Sequence, residues 1–221
     1  KEPLKRDFKN VSIAWSRDLG DLPIDPRVTE AIDSQRHVFE SLGCEVIDGE
    51  PDFSGADEAF KVWRAWKFEV SFGALIDEHR EQIKETVIWN IEAGQKLTGP
   101  QIGKAEVRRS EIYQRVREFM EHHEFLILPV NQVPPFDVKQ PYVTEINGVK
   151  METYMDWMKS CYYITVTGLP AISVPCGFTA EGLPVGVQIV GRHQDERGVL
   201  QLAYAFEQAT ALWKQKPALV E

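Results

Sequence analysis

The 221-residue sequence has no Gly-Gly pair, no Ser-Ser pair and no CxxC. Neither GxGxxG nor GxxxxGK[ST] occurs, so a nucleotide would have no glycine-rich loop to cradle its phosphates. No GxSxG elbow is present, which leaves an ordinary serine hydrolase without its strained nucleophile. Histidine is sparse, at His37, His79, His122, His123 and His193, and none belongs to HExxH or a Cys/His finger. The adjacent pair His122-His123 would point about 100° apart on a helix, so no metal site is expected. Cysteine is scarcer still. Cys44, Cys161 and Cys176 are odd in number and widely spaced, which excludes a disulfide framework and suggests a reducing cytoplasm. Cations are outnumbered, with 25 Lys+Arg against 34 Asp+Glu and a formal net charge of −9. That balance argues against a nucleic-acid surface and against an anionic membrane surface. No run approaches the ~18–20 apolar residues of a membrane span. The opening Lys1-Glu2-Pro3-Leu4-Lys5-Arg6-Asp7 has no apolar core behind its charges, so no signal peptide is expected.

What is present is an alternation of strand and helix patterns, and nothing marks a domain boundary. Val11–Trp15 reads as a strand. Asp25-Pro26 opens a helix, with Val28, Ala31, Ile32, Phe39 and Leu42 at helical spacing and Gly43 as the C-terminal stop. Cys44–Ile47 reads as a second strand, which makes a strand-helix-strand unit of a parallel sheet. Residues 51–97 carry three of the six tryptophans, Trp63, Trp66 and Trp89. These fill a helix interface or wall a pocket. Thr98 and Gln101 fit a capping box before a long helix to about His122. Phe125–Val130 is a continuous apolar run, expected as a fully buried strand. It runs into Asn131-Gln132-Val133-Pro134-Pro135-Phe136, a stiff loop at the carboxyl end of a strand, where open α/β sheets bind ligands. Residues 137–150 read as a loop with a turn at Asn147-Gly148. Met151–Thr165 reads as a helix. Ala171–Val174 and Val185–Val190 follow as antiparallel strands, and Asp195 caps a final helix. The expected fold class is α/β, a mixed, mainly parallel sheet flanked by helices.

One stretch is far more specific than any short motif. Thr167-Gly-Leu-Pro-Ala-Ile-Ser-Val-Pro-Cys-Gly-Phe, continued by Gly182-Leu-Pro-Val-Gly-Val-Gln-Ile-Val-Gly-Arg192, closely resembles the C-terminal signature of the amidase signature family. Phe125-Leu-Ile-Leu-Pro-Val-Asn-Gln-Val-Pro-Pro resembles that family's strand and pocket loop. Val11–Ser16 with Leu22–Pro26 resembles the entry to its second half. The order and spacing match along nearly the whole chain. The resemblance implies hydrolysis of a carboxamide, or transfer of its acyl group, by a Ser, a second Ser in a cis peptide, and a Lys. It implies no cofactor.

The sequence departs from that pattern at the chemistry. The family's Gly-Gly-Ser-Ser-Gly-Gly-Ser loop and catalytic Lys segment have no counterpart here, so no catalytic residue carries over. Lys159-Ser160 is no substitute, because neighbouring side chains on a helix diverge. Residues 1–221 are therefore expected to be the C-terminal half of one amidase signature domain. Its catalytic N-terminal half would lie outside them and act as its partner, and the chain alone is expected to be inactive. Candidate substrate-binding residues are Trp89, Asn131, Gln132, Tyr154 and Trp157, with ordinary packing as the competing account of each. The expected ligand is a small amide, with neither nucleic acid nor membrane as partner, and a homodimer is allowed. The alternatives are the A-type component of a tRNA-dependent amidotransferase, and a non-catalytic binding or scaffold relative.

Overall fold

The computed structural model describes residues 3–215. Strand β1 (Ser12–Trp15) leads through a loop to helix α1 (Pro26–Asp33), helix α2 (Arg36–Ser41) and strand β2 (Glu45–Asp48). The Asp25 carboxylate accepts the Arg27 N–H at 3.0 Å, and Pro26 occupies the first turn, as the sequence suggests. The single helix expected to run on to Leu42 is instead two. Ser34 ends the first by donating its hydroxyl to the Ala31 carbonyl at 2.7 Å, which competes with the helical ladder.

Long helix α3 (Ala56–His79) turns back into α4 (Glu85–Gln95), and α5 (Gly99–His122) follows. Gln101 reaches back to accept the Thr98 N–H at 2.9 Å, the reciprocal half of the expected capping box. Gly94 sets the approach of α4 to α3. A Cβ there would lie 2.3 Å from the Ala65 carbonyl oxygen and 2.6 Å from the Glu69 Cβ. Gly94→Ala is expected to cost about 2 kcal/mol by overpacking, read from the midpoint of urea unfolding.

Strand β3 (Phe125–Pro129) is buried at every position. The segment 137–150, expected as a loop, contains a hairpin of β4 (Glu145–Ile146) and β5 (Val149–Lys150). Asn147 and Gly148 both take positive φ, +49° and +80°, the geometry that Asn-Gly favours in two-residue hairpins. Helix α6 is shorter than expected and begins later, at Lys159–Thr167. Tyr154 and Met155 lie in the loop before it, and Trp157 lies in a single 3-10 turn, Asp156–Met158. Strands β6 (Ala171–Phe178) and β7 (Pro184–Gly191) form the expected antiparallel pair, and α7 (Glu196–Thr210) closes the fold under its Asp195 cap.

The main sheet has the order β2-β1-β3-β7-β6. β1 is parallel to β2 and β3, whereas β7 is antiparallel to β3 and β6. Four of the five strands therefore point one way and β7 opposes them. Helices cover both faces. Position 191 of β7 faces Val199 of α7, whereas Gln188, of opposite parity, donates to the Ser160 carbonyl of α6. Ile13, Ala14, Phe125, Leu126, Ile127 and Leu128 are wholly buried between these layers. Each large side chain among them contributes about 1.5–3 kcal/mol. Trp15, Phe39 and Phe206 continue the core, with the last two rings stacked at 4.8 Å. Arg192, just past β7, donates to the carbonyls of Met120, Glu121 and His123 and so closes the end of α5. Among the described residues, no helix is long and apolar enough to cross a membrane.

Candidate functional site

The loop leaving β3 is held from both sides. The Val130 carbonyl accepts the Ser160 hydroxyl at 2.8 Å and the Cys161 thiol at 2.9 Å. Gln132 is fully buried. Its amide nitrogen donates to the Pro23 carbonyl at 3.0 Å, and its amide oxygen accepts the Lys159 N–H at 2.6 Å. Its own carbonyl accepts the Asp25 N–H at 2.8 Å. Gln132 thus ties the strand-end loop to the starts of α1 and α6, with both ends of its amide engaged by backbone.

This bracing leaves Asn131 exposed at the mouth of a cavity of about 190 Å³. Pro134, Phe136, Trp157 and Val185 are among the residues of its walls. The Trp157 and Phe136 rings meet edge to face at 5.4 Å. The Trp157 indole N–H is buried and has no acceptor among the described residues. The structure therefore brings Asn131 and Trp157 together.

Trp89 and Tyr154 meet elsewhere, edge to face at 6.1 Å, around a cavity of about 300 Å³. Trp89 is 46% exposed. Its neighbour Asn90 is buried and donates to the Tyr154 hydroxyl at 2.6 Å, and Arg64 donates to the same oxygen at 3.1 Å. Sequence reasoning singled out Trp89, and placed Phe136 only within the pocket loop, but missed Asn90 and Arg64. The signal for Asn90 was a polar residue placed on the apolar face of α4, between Ile88 and Ile91.

Asp156 links the two groups. Its carboxylate accepts the Lys61 ammonium at 3.0 Å and the Thr153 N–H at 2.6 Å. Lys61 also reaches Asp57 at 2.9 Å, and Asp57 accepts the Tyr162 hydroxyl. Burial pushes the Asp156 carboxyl up, but Lys61 and the Thr153 amide outweigh it and hold the group below the usual carboxylate range. For Lys61, burial pushes the ammonium down, and its bonds to Asp57 and Asp156 more than reverse that. Burial, with Asp57 second, raises the Tyr163 phenol to about 12 and that of Tyr162 further. Both remain neutral donors at neutral pH.

A further cavity of about 490 Å³ lies at the carboxyl ends of β1 and β2, bordered by Asp21, Glu50, Asp52, Asp57, Phe53 and Tyr163. Among the described residues, no group of three or more His, Cys, Asp or Glu could hold a metal ion.

Nucleophiles are poorly served within the described residues. Burial raises the Cys44 thiol to about 11 and that of Cys176 to about 12, and it raises Cys161 as well. All three cysteines are free. The Ser160 hydroxyl is buried and committed to a backbone carbonyl. Lys159 extends instead to 3.9 Å from both Asp57 and Asp156. Ser12 Oγ and His123 Nδ1 lie 3.0 Å apart, at the opposite end of the sheet. The carbonyl terminus of α5 beside them disfavours a developing oxyanion.

Comparison with known proteins agrees with this geometry. The amidase family profile matches residues 1–200. An acylamidase of Rhodococcus erythropolis is 30% identical over 222 residues, covering 98% of this chain and 46% of that protein. The A-type component of the glutamyl-tRNA(Gln) amidotransferase of Thermodesulfovibrio yellowstonii is 38% identical over 119 residues, 52% of this chain and 23% of that protein. In structure, a bacterial aryl acylamidase of the amidase signature family superposes with a TM-score of 0.83 at 22% identity, over 94% of this chain and 45% of that one. A 6-aminohexanoate cyclic dimer hydrolase solved with its substrate superposes at 0.84 and 20% identity, over 99% and 49%. These 221 residues thus span about half the length of the relatives they match end to end. The strand-end proline loop, the antiparallel pair that carries the Gly-Leu-Pro runs, and the match along the sequence agree: the chain belongs to the amidase signature family.

Proposed function

We propose that these residues form the second half of an amidase signature domain and that the whole protein hydrolyses a small carboxamide to a carboxylate and ammonia or an amine. The reaction runs through a Ser, a cis-Ser and a Lys contributed from outside residues 1–221, and the enzyme works in the cytoplasm. The observation that carries this reading is the acylamidase match along 98% of the chain. Asn131 and Trp157 wall the substrate pocket at the carboxyl end of β3, and Trp89 and Tyr154 wall a second cavity that takes part of the substrate. Gln132 acts as a positioning residue. The unpaired Trp157 N–H acts as a donor to a substrate acceptor remote from the scissile amide.

The test is steady-state hydrolysis of an anilide by the whole enzyme. Trp157→Phe keeps the ring and removes the donor, so KM should rise about fivefold with kcat within a factor of two, the pattern of lost uniform binding. An unchanged KM contradicts the role of the indole. The 38% local identity to the A-type amidotransferase component favours a second reading, in which the protein releases ammonia for a partner protein. Anilide turnover by the enzyme alone, without partner proteins or tRNA, selects the first. Loss of all amide turnover would leave a non-catalytic binding relative.

A further inference from the structure

A separate groove of about 490 Å³ runs between the middles of α3 and α5 and the end of α6. Phe60, Trp63 and Phe68 form its aromatic wall, and Arg64, Lys67 and Arg109 are its charged residues. Among the described residues, no carboxylate lines it. In a chain with net charge −9, a groove lined by three cations is a local positive spot, with Arg109 partly offset by Glu106 outside the lining. Arg64 lies over the Phe60 and Phe68 rings, at 5.9 and 4.5 Å, and its hydrogen bonds go to the Tyr154 hydroxyl. Arg109 lies over the Trp63 ring at 6.0 Å, and its ion pair with Glu106 at 3.5 Å is half exposed. Among the described residues, Lys67 has no ion pair. The Trp63 indole N–H is buried with no acceptor among the described residues. A buried donor without a partner is costly, and a ligand oxygen placed there removes the cost.

We infer that this groove binds an aromatic monocarboxylate. The ring lies along Phe60, Trp63 and Phe68, and the carboxylate meets Lys67, Arg109 and the Trp63 N–H. The apolar wall calls for a flat hydrocarbon body as well as a charge. Phosphate is a poorer fit, because the wall is made of helix middles and offers no cluster of free backbone N–H groups. This inference rests on the groove alone and does not depend on the amide reaction.

The test is a titration of the whole protein with 4-fluorophenylacetate, followed by ligand fluorine NMR. Paired Lys67→Gln and Arg109→Gln substitutions, at exposed or half-exposed sites, should weaken binding about tenfold. Trp63→Phe keeps the wall and should weaken it about threefold. Lys84→Gln, on the exposed start of α4, should leave it unchanged. Circular dichroism melting confirms that each variant is folded, and if the pair is not, Lys67→Gln alone should still weaken binding. Three results overturn the inference: equal binding of the uncharged amide, equal displacement by inorganic phosphate, and no binding at about 10 mM ligand.

Discussion

Asp156→Ala should lower the unfolding free energy by about 3 kcal/mol at pH 7, measured by urea titration. The side chain is only 6% exposed and its partner Lys61 30%, so the pair sits largely out of water. Removing one member of such a pair costs about 3–5 kcal/mol, because the other charge is left behind. The lower end applies here, since Lys61 keeps Asp57 at 2.9 Å. The variant also loses the acceptor for the Thr153 N–H. The sign with pH follows from the two shifts. The Asp156 carboxyl is depressed, so its contribution is complete above the unfolded value of about 3.9 and is lost as pH falls through the lower folded one. Lys61 is raised, so its contribution holds below about 10.4 and is lost as pH rises through the higher folded value. The difference between wild type and Asp156→Ala should therefore be flat across neutral pH and shrink at both extremes. A difference that grows on acidification contradicts the pairing. Because Asp156 anchors the turn that carries Trp157, the whole enzyme should also show a raised KM.

Gln132→Leu should destabilise by about 2–4 kcal/mol although it places an apolar residue in a buried site. The leucine leaves the Lys159 N–H and the Pro23 carbonyl without partners, at about 1–3 kcal/mol each. Gln132→Glu separates the two bonds. A carboxylate still accepts from Lys159 but cannot donate to Pro23, so part of the stability should return where the glutamate is protonated. Thermal unfolding of the three proteins at pH 4 and pH 7 checks this. A Gln132→Leu melting point at or above wild type would falsify the bracing role.

The parts of the fold set by apolar pattern were legible in the sequence. The buried run Phe125–Pro129 and the Asp25-Pro26 start read correctly because one local rule fixed each of them. The failures lie where a side chain competes with the ladder. Ser34 breaks a helix whose apolar spacing continues through the break. Before α6, Thr153 and Asp156 form a local turn, with the Thr153 hydroxyl accepting the Met155 N–H at 3.3 Å. The Thr153-x-x-Asp156 spacing carried that signal, and the aromatic periodicity from Met151 onward masked it. The candidate residues divide for a related reason. Strand-end position pointed to Asn131 and Gln132 alike, yet adjacent residues face opposite ways, so one opens to a cavity and the other is buried. Arg64 and Asn90 become visible only when α3, α4 and Tyr154 are brought together in space.

The central claim is that this half shapes the pocket and that the nucleophile lies outside it. The most direct test is labelling of the whole active protein with a serine-reactive fluorophosphonate, followed by peptide mass spectrometry. The account predicts complete loss of amidase activity with the adduct on a serine outside residues 1–221. An adduct on Ser160, Ser173 or any other serine within these residues, formed in step with inactivation, would contradict it.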